Sequence, residues 1–178
     1  MASFSQRVVG ALKLQAVTFE EVEHDTTATG QAAVVVLLAS LSSGIAFIRY
    51  GGLTGVFSNA VWALVSWVFF AGLVWLIGTK IVPGRNTQAD LGQLLRTMGF
   101  ANAPGLLAFI GVIPLLGWPI WFGIVLWTIA ATVIAVRQAL DYESTSRAVV
   151  TVVLAFVAAL ILTSIFALGS GFRTVVVE

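Results

Sequence analysis

The sequence predicts an all-α, polytopic membrane helix bundle with five transmembrane helices and short amphipathic helices at the interface. Three observations predict it. Hydrophobic residues make up 59 % of the 178 residues and charged residues only 10 %, where a soluble domain carries ~25 %. The mean hydropathy is +1.02. The charges are also segregated, since residues 31–48, 57–79, 99–136 and 148–172 contain none. An ordinary soluble enzyme could not cover its surface with so few charges. The nine Lys+Arg nearly cancel the eight Asp+Glu, so there is no basic field for nucleic acid. With no cysteine, disulfides and thiolate metal sites are excluded.

Residues 1–30 form an amino-terminal segment with two helical patterns. Phe4, Val8 and Leu12 recur at i, i+4, i+8 with Arg7 and Lys13 at the margins, the pattern of an interfacial amphipathic helix. In Val17-Thr18-Phe19-Glu20-Glu21-Val22, Thr18 fits an N-cap and Glu21 its capping-box acid, with Val17 and Val22 at the staple positions. Asp25 is placed to cap the helix that enters the membrane. The segment has charges throughout and no apolar core, so it does not read as a cleavable signal peptide.

Residues 31–172 form the membrane domain. A span needs ~20 mostly apolar residues. The expected spans are 31–48, 57–79, 99–116, 119–136 and 149–168, with Gly117-Trp118-Pro119 as the turn that divides the long central stretch. A shallow re-entrant hairpin over 99–136 is the alternative. Thr87-Gln88-Ala89-Asp90 reads as a weak cap, followed by an interfacial helix with Leu91, Leu94, Leu95 and Met98 on one stripe. Asn102 is expected to cap the third span with Pro104 in its first turn, where a missing N–H is harmless. A broken helix lining a transport site is the sharper reading of the same residues. Gly51 and Gly55 fall in a loop and read as a flexible turn.

Alternate loops share a side. The amino-terminal side holds Arg7, Lys13, Lys80, Arg85, Arg96, Arg137 and Arg147; the other holds Arg49 and Arg173. The positive-inside bias therefore puts the amino terminus in the cytosol and the short tail 173–178 outside. Tyr50, Phe57, Trp62, Trp118 and Trp121 cluster at the expected outer interface.

The chemistry is sparse. No catalytic residue is assigned: there is no nucleophile elbow and no phosphate loop. Ionisable groups are absent from the spans, which argues against ion or proton transport. Ser40, Ser42, Ser43, Asn59 and the other polar span residues suit helix–helix hydrogen bonding. Glu21-x-x-His24 has the i, i+3 spacing of carboxylate–imidazole ligation but is half of the usual two-motif set, and Glu21 also has a capping role. A metal ion on Glu21 and His24 is the one cofactor these residues suggest. Arg137 and Asp141 are spaced as a local i, i+4 pair. The alternative is that Arg96 or Arg137 docks the acidic run, residues 20–25, beneath the bundle.

Several runs in order carry a resemblance. They are Thr18-Phe19-Glu20-Glu21-Val22-Glu23-His24-Asp25, Ala28-Thr29-Gly30-Gln31-Ala32, Leu94-Leu95-Arg96, Gly99-Phe100-Ala101, Ala103-Pro104-Gly105, Ile113-Pro114-Leu115-Leu116-Gly117 and Val136-Arg137-Gln138-Ala139-Leu140-Asp141. Together they resemble bacterial members of the Yip-one domain family over roughly residues 4–168. The resemblance implies a five-span protein with a cytosolic amino terminus. Eukaryotic members associate with Rab-type GTPases and with one another, and carry an Asp-Leu-Tyr-Gly-Pro motif before the first span. The letters differ here, so no Rab GTPase partner is carried over. The expected role is a non-enzymatic membrane scaffold or adaptor in the bacterial cytoplasmic (inner) membrane. It would act through Phe19, Glu20, Glu21, Glu23, Asp25, Arg96, Arg137 and Asp141 on its cytosolic face. Its expected partners are the lipid bilayer and another copy or another membrane protein. The alternative is a transport protein for a small neutral or lipidic substrate, using the Pro-interrupted central hairpin.

Overall fold

A computed structural model describes residues 2–46, 48–113 and 115–175. Among them the chain forms seven α-helices, one π turn and one 3-10 helix, and no strand. The helices are α1 (Phe4–Leu12), α2 (Ala16–His24), α3 (Ala28–Ala46), α4 (Ile48–Leu76), α5 (Leu91–Phe100), α6 (Gly117–Ala139) and α7 (Thr145–Val175). The π turn (Ile77–Ile81) extends α4, and the 3-10 helix (Ala103–Val112) follows α5. Four helices, α3, α4, α6 and α7, are long and apolar enough to cross a membrane. Helices suit that setting because each satisfies its own backbone polar groups.

The expected third span, 99–116, is not one α-helix. Residues 99 and 100 end α5, and the next segment is the 3-10 helix. At ~2 Å per residue such a helix gains about 20 Å over ten residues, less than the ~30 Å hydrocarbon core. It lies parallel to α3. Gly99 faces Ala32, where a Cβ would come within 2.5 Å of the alanine methyl; Gly105 faces Ala39 in the same way at 2.9 Å. Further along, the Ser42 hydroxyl donates to Leu106 O at 2.9 Å and accepts from Phe109 N at 2.8 Å. It thus bridges the carbonyl and amide that an ideal 3-10 turn would close directly, which keeps irregular backbone satisfied at membrane depth.

Two turns also differ from expectation. The reversal into α6 includes Leu115, at φ 68°, and Leu116. Gly117-Trp118-Pro119 is the first turn of α6, where Pro119 loses nothing because its N–H would be unpaired anyway. Gly51 and Gly55 lie within α4, which begins nine residues before the expected span and kinks at Gly52 (φ 57°). Pro114 and the side chains of Arg49, Tyr50 and Arg173 lie outside the described residues, as do residues 176–178.

The expected caps shift as well. α1 is closed by a box of Ser3 and Gln6. α2 starts at Ala16 after Gln15, so Thr18 is inside the helix and caps nothing. Val17 is exposed and Val22 buried, so no staple forms. Asp90, not Thr87, caps α5, with Gln93 as its box partner; Thr87 instead accepts from Gly84 N and donates to Leu140 O. Asn102 does precede the 3-10 helix, but its amide turns back to Met98 O at 2.9 Å. Asp25 does prepare α3, since its Oδ1 accepts from Thr27 N and the Thr27 hydroxyl.

The core sits toward the end of the bundle that carries α1 and α2, here called the amino-terminal face. α5 packs inward: Leu94, Thr97, Met98 and Phe100 are buried among α2, α3, α4 and α6. Three indoles fasten it and α1. Trp67 donates to Leu95 O, Trp75 to Ala89 O and Trp127 to Leu12 O, all near 3 Å. On the same face the Tyr142 hydroxyl holds the π turn at Gly78 O and Val82 O and meets Thr151 of α7. α7 is buried at Ala148, Thr151 and Ala155, whereas Phe156, Ile161 and Phe166 beyond them are exposed.

Candidate functional site

The charged chemistry gathers where α1 and α2 meet the bundle. α1 and α2 are nine residues each, too short to be stable helices alone in water. Gly10 of α1 faces Thr18 of α2 so closely that a Cβ would be 2.1 Å from its hydroxyl. Both helices are then tied to the bundle by two buried arginines.

Arg7 is 1 % exposed. Its Nη2 meets Asp25 Oδ2 at 2.6 Å and Glu21 Oε1 at 2.9 Å. Its Nε reaches Glu21 Oε1 at 3.3 Å, and Nη1 reaches Gln31 Oε1 at 3.1 Å. One guanidinium therefore joins α1 to α2, to the α2–α3 turn and to the start of α3. These are the two ion pairs among the described residues. Burial works against the Arg7 charge, but Asp25 and Glu21 outweigh it and its pKa rises. The Ala2 amide first, then Arg7, holds the Glu21 carboxyl below its usual range. The Thr27 hydroxyl and then Arg7 bring Asp25 down to about 2.

Arg96 of α5 is also buried, and it reads backbone rather than carboxylates. Its Nε donates to Val22 O and Glu23 O at 3.1 Å, and Nη2 to Glu23 O at 2.5 Å. A cation on the last carbonyls of α2 satisfies groups that no helical N–H can reach, and it complements the helix dipole. Beside it Glu23 is buried with its Oε1 on Gln93 Nε2 at 2.9 Å. Burial pushes Glu23 up to about 7; Asp141 and Glu20 add to the rise, while His24 and Arg96 oppose it. Gln138 Nε2 of α6 bonds Glu20 Oε2 at 2.7 Å.

The acidic run is thus docked, as one of the sequence readings had it, with Arg96 as one partner. Arg137 is not another. It bonds Tyr142 O and the Thr145 hydroxyl, and no Arg137–Asp141 ion pair forms among the described residues. Asp141 serves a backbone role at φ 51°. The bonds Asp141 N to Gln138 O and Tyr142 N to Arg137 O make a Schellman end to α6 with Asp where Gly is usual. Phe19 is fully buried in the core and offers no partner surface. Arg7, read from the sequence as a marginal charge on an amphipathic helix, is the hub. The signal for it is Gly10 and Ala11 beside it, small residues that let a neighbour approach.

Glu21 is engaged by Arg7 and Ala2 N, and His24 Nδ1 lies 2.9 Å from Glu20 O. Among the described residues no three His, Asp or Glu side chains gather as a metal would need. A second feature lies within the membrane domain, a cavity of about 570 Å³ bounded by α3, α4, α6, α7 and the 3-10 helix.

These features define a class, a helical membrane bundle whose amino-terminal helices are packed into one face. The chain belongs to the Yip1 family: the family model for the Yip1 domain matches residues 10–166, nearly the whole chain. No curated protein and no solved structure matches it.

Proposed function

We propose that the protein is a non-enzymatic membrane scaffold or adaptor of a bacterial cell membrane, with a cytosolic amino terminus, acting through a fixed cap made of α1 and α2. The observation that supports this reading is the double anchorage by Arg7 and Arg96, which turns the amino-terminal segment into a rigid platform instead of a reaching arm. The surface such a platform offers is its outer side, where Val17 is 80 % exposed. The partner is another copy or another membrane protein.

In-cell photo-cross-linking from position 17 tests it. One dominant protein adduct supports the platform. Lipid adducts alone contradict it. A probe at position 19 would report only the core.

A second reading, passage of a small neutral or lipidic substrate, is favoured by one observation: the cavity reaches Asn102 and Gly105 of the central hairpin. It predicts flux into liposomes that falls on Asn102→Ala.

A further inference from the structure

We infer that the cavity is a binding site for an uncharged, hydroxyl-bearing lipid of the diacylglycerol class. The inference needs the cavity but neither the cytosolic platform nor passage of a substrate. At about 570 Å³ the space falls within the 300–1,000 Å³ of ordinary ligand sites. Counted at ~1.5 Å per helical residue, it runs from Thr132, about 10 Å from the end of α6, to Asn59, about 33 Å from the end of the π turn. It therefore lies along the membrane-spanning helices, away from the amino-terminal face.

Its chemistry selects the ligand. No charged residue and no histidine lines it, so a phosphate or carboxylate would stay unpaired in an apolar setting. Pure hydrocarbon fits no better, because polar atoms point into the space. The Asn59 amide nitrogen is used by Ser40 O and the Ser43 hydroxyl. Its Oδ1, the hydroxyls of Ser66 and Thr128, and Asn102 Oδ1 have no hydrogen-bond partner among the described residues. At membrane depth each of these groups needs a partner. Hydroxyl and ester groups supply both donors and acceptors without charge. The route in is lateral: Ser66, Phe69, Trp121 and Phe156 line the cavity and are themselves exposed. The head of such a lipid can sit among the polar groups while its chains extend into the bilayer.

The test uses the full chain in phosphatidylcholine vesicles with a trace of photoreactive diacylglycerol, and maps the adducts by mass spectrometry. The expected adducts concentrate on residues 59–70 and 156–163. A phosphatidic acid probe with the same chains, differing only in its phosphate, labels them about tenfold less. Ala63→Trp, which fills the space, and Asn59→Leu, which removes the unpaired acceptor, each reduce labelling about tenfold. If Ala63→Trp loses its monodisperse elution, Asn59→Leu carries the test alone, because Asn59 is exposed and its loss leaves no buried hole. Adducts spread evenly over the exposed faces of α6 and α7, equal labelling by the charged probe, or labelling unchanged in Asn59→Leu would each overturn the inference. So would no labelling at all. Labelling without liposome flux leaves this site standing and removes the passage reading.

Discussion

The amino-terminal face and the opposite end of the bundle are built on different principles. At the amino-terminal face, short helices are joined by directed bonds: two buried arginines, three indoles, one tyrosine hydroxyl and close glycine–alanine contacts. At the opposite end α7 is exposed from Leu160 to Leu168, α4 kinks at Gly52, and the cavity separates the helices. Lipid is as apolar as the side chains, so there is no hydrophobic drive to close that end. The amino-terminal face is held by directed polar bonds, and the apolar spans beyond it share fewer of them.

Breaking the arginine hub gives the largest expected effect. Arg7→Met leaves Glu21 and Asp25 without their partner, and breaking a buried pair from one side is far worse than never having it. α1 should then exchange its amides like a free helix, while α2, still held by Arg96 and Gln138, loses less and α5 and α6 keep their protection, measured by hydrogen exchange in detergent micelles. Loss of protection throughout the bundle would show instead that the whole fold depends on the pair.

Packing distinguishes the two ends next. Gly99→Val drives a side chain into the Ala32 backbone and should cost about 1–3 kcal/mol, as overpacking does. Gly123→Val, in α6 with nothing within 4 Å of an added Cβ, should change stability by less than about 0.5 kcal/mol. Denaturation followed by tryptophan fluorescence compares them. Equal losses would mean that the ends are packed alike.

A smaller, pH-dependent effect follows from the same face. Glu23 is raised from 4.5 to about 7, so its contribution is full below about 4.5 and is lost as pH rises through about 7. Glu21 and Asp25 are lowered, so theirs is lost only in strong acid, for Asp25 near 2. Cap protection should therefore weaken as pH rises from about 4.5 to about 7 and level off above that, and Glu23→Gln should flatten the change. An unchanged slope in that variant would assign the titration elsewhere. The smallest effect is a gain. Asp141→Gly relieves a left-handed residue and should stabilise the protein by about 0.5–1 kcal/mol in the same denaturation assay.

The long apolar elements were legible because a membrane span is an average property: twenty uncharged residues announce themselves. The 3-10 helix was not, because its stability depends on Ser42 from another helix and on Gly99 and Gly105 finding Ala32 and Ala39. Such pairings have no local signature. The docking of the acidic run was legible as charge complementarity toward Arg96. That Arg96 would choose carbonyls, and that Arg7 would take the carboxylates, depends on where two nine-residue helices come to rest. Capping misled for a related reason: Thr18 and Thr87 fit the pattern, but Gln15 and Asp90 stood where the tertiary contacts required the helices to begin.

The most direct measurement of the docked cap is hydrogen exchange of the unmodified protein in lipid nanodiscs, read peptide by peptide over residues 4–24. Nine-residue helices do not protect their amides unaided, so protection there reports docking itself. A docked α2 exchanges as slowly as α5, which holds it. Exchange of α1 and α2 at the rate of an unstructured segment, beside a protected α5, would contradict docking.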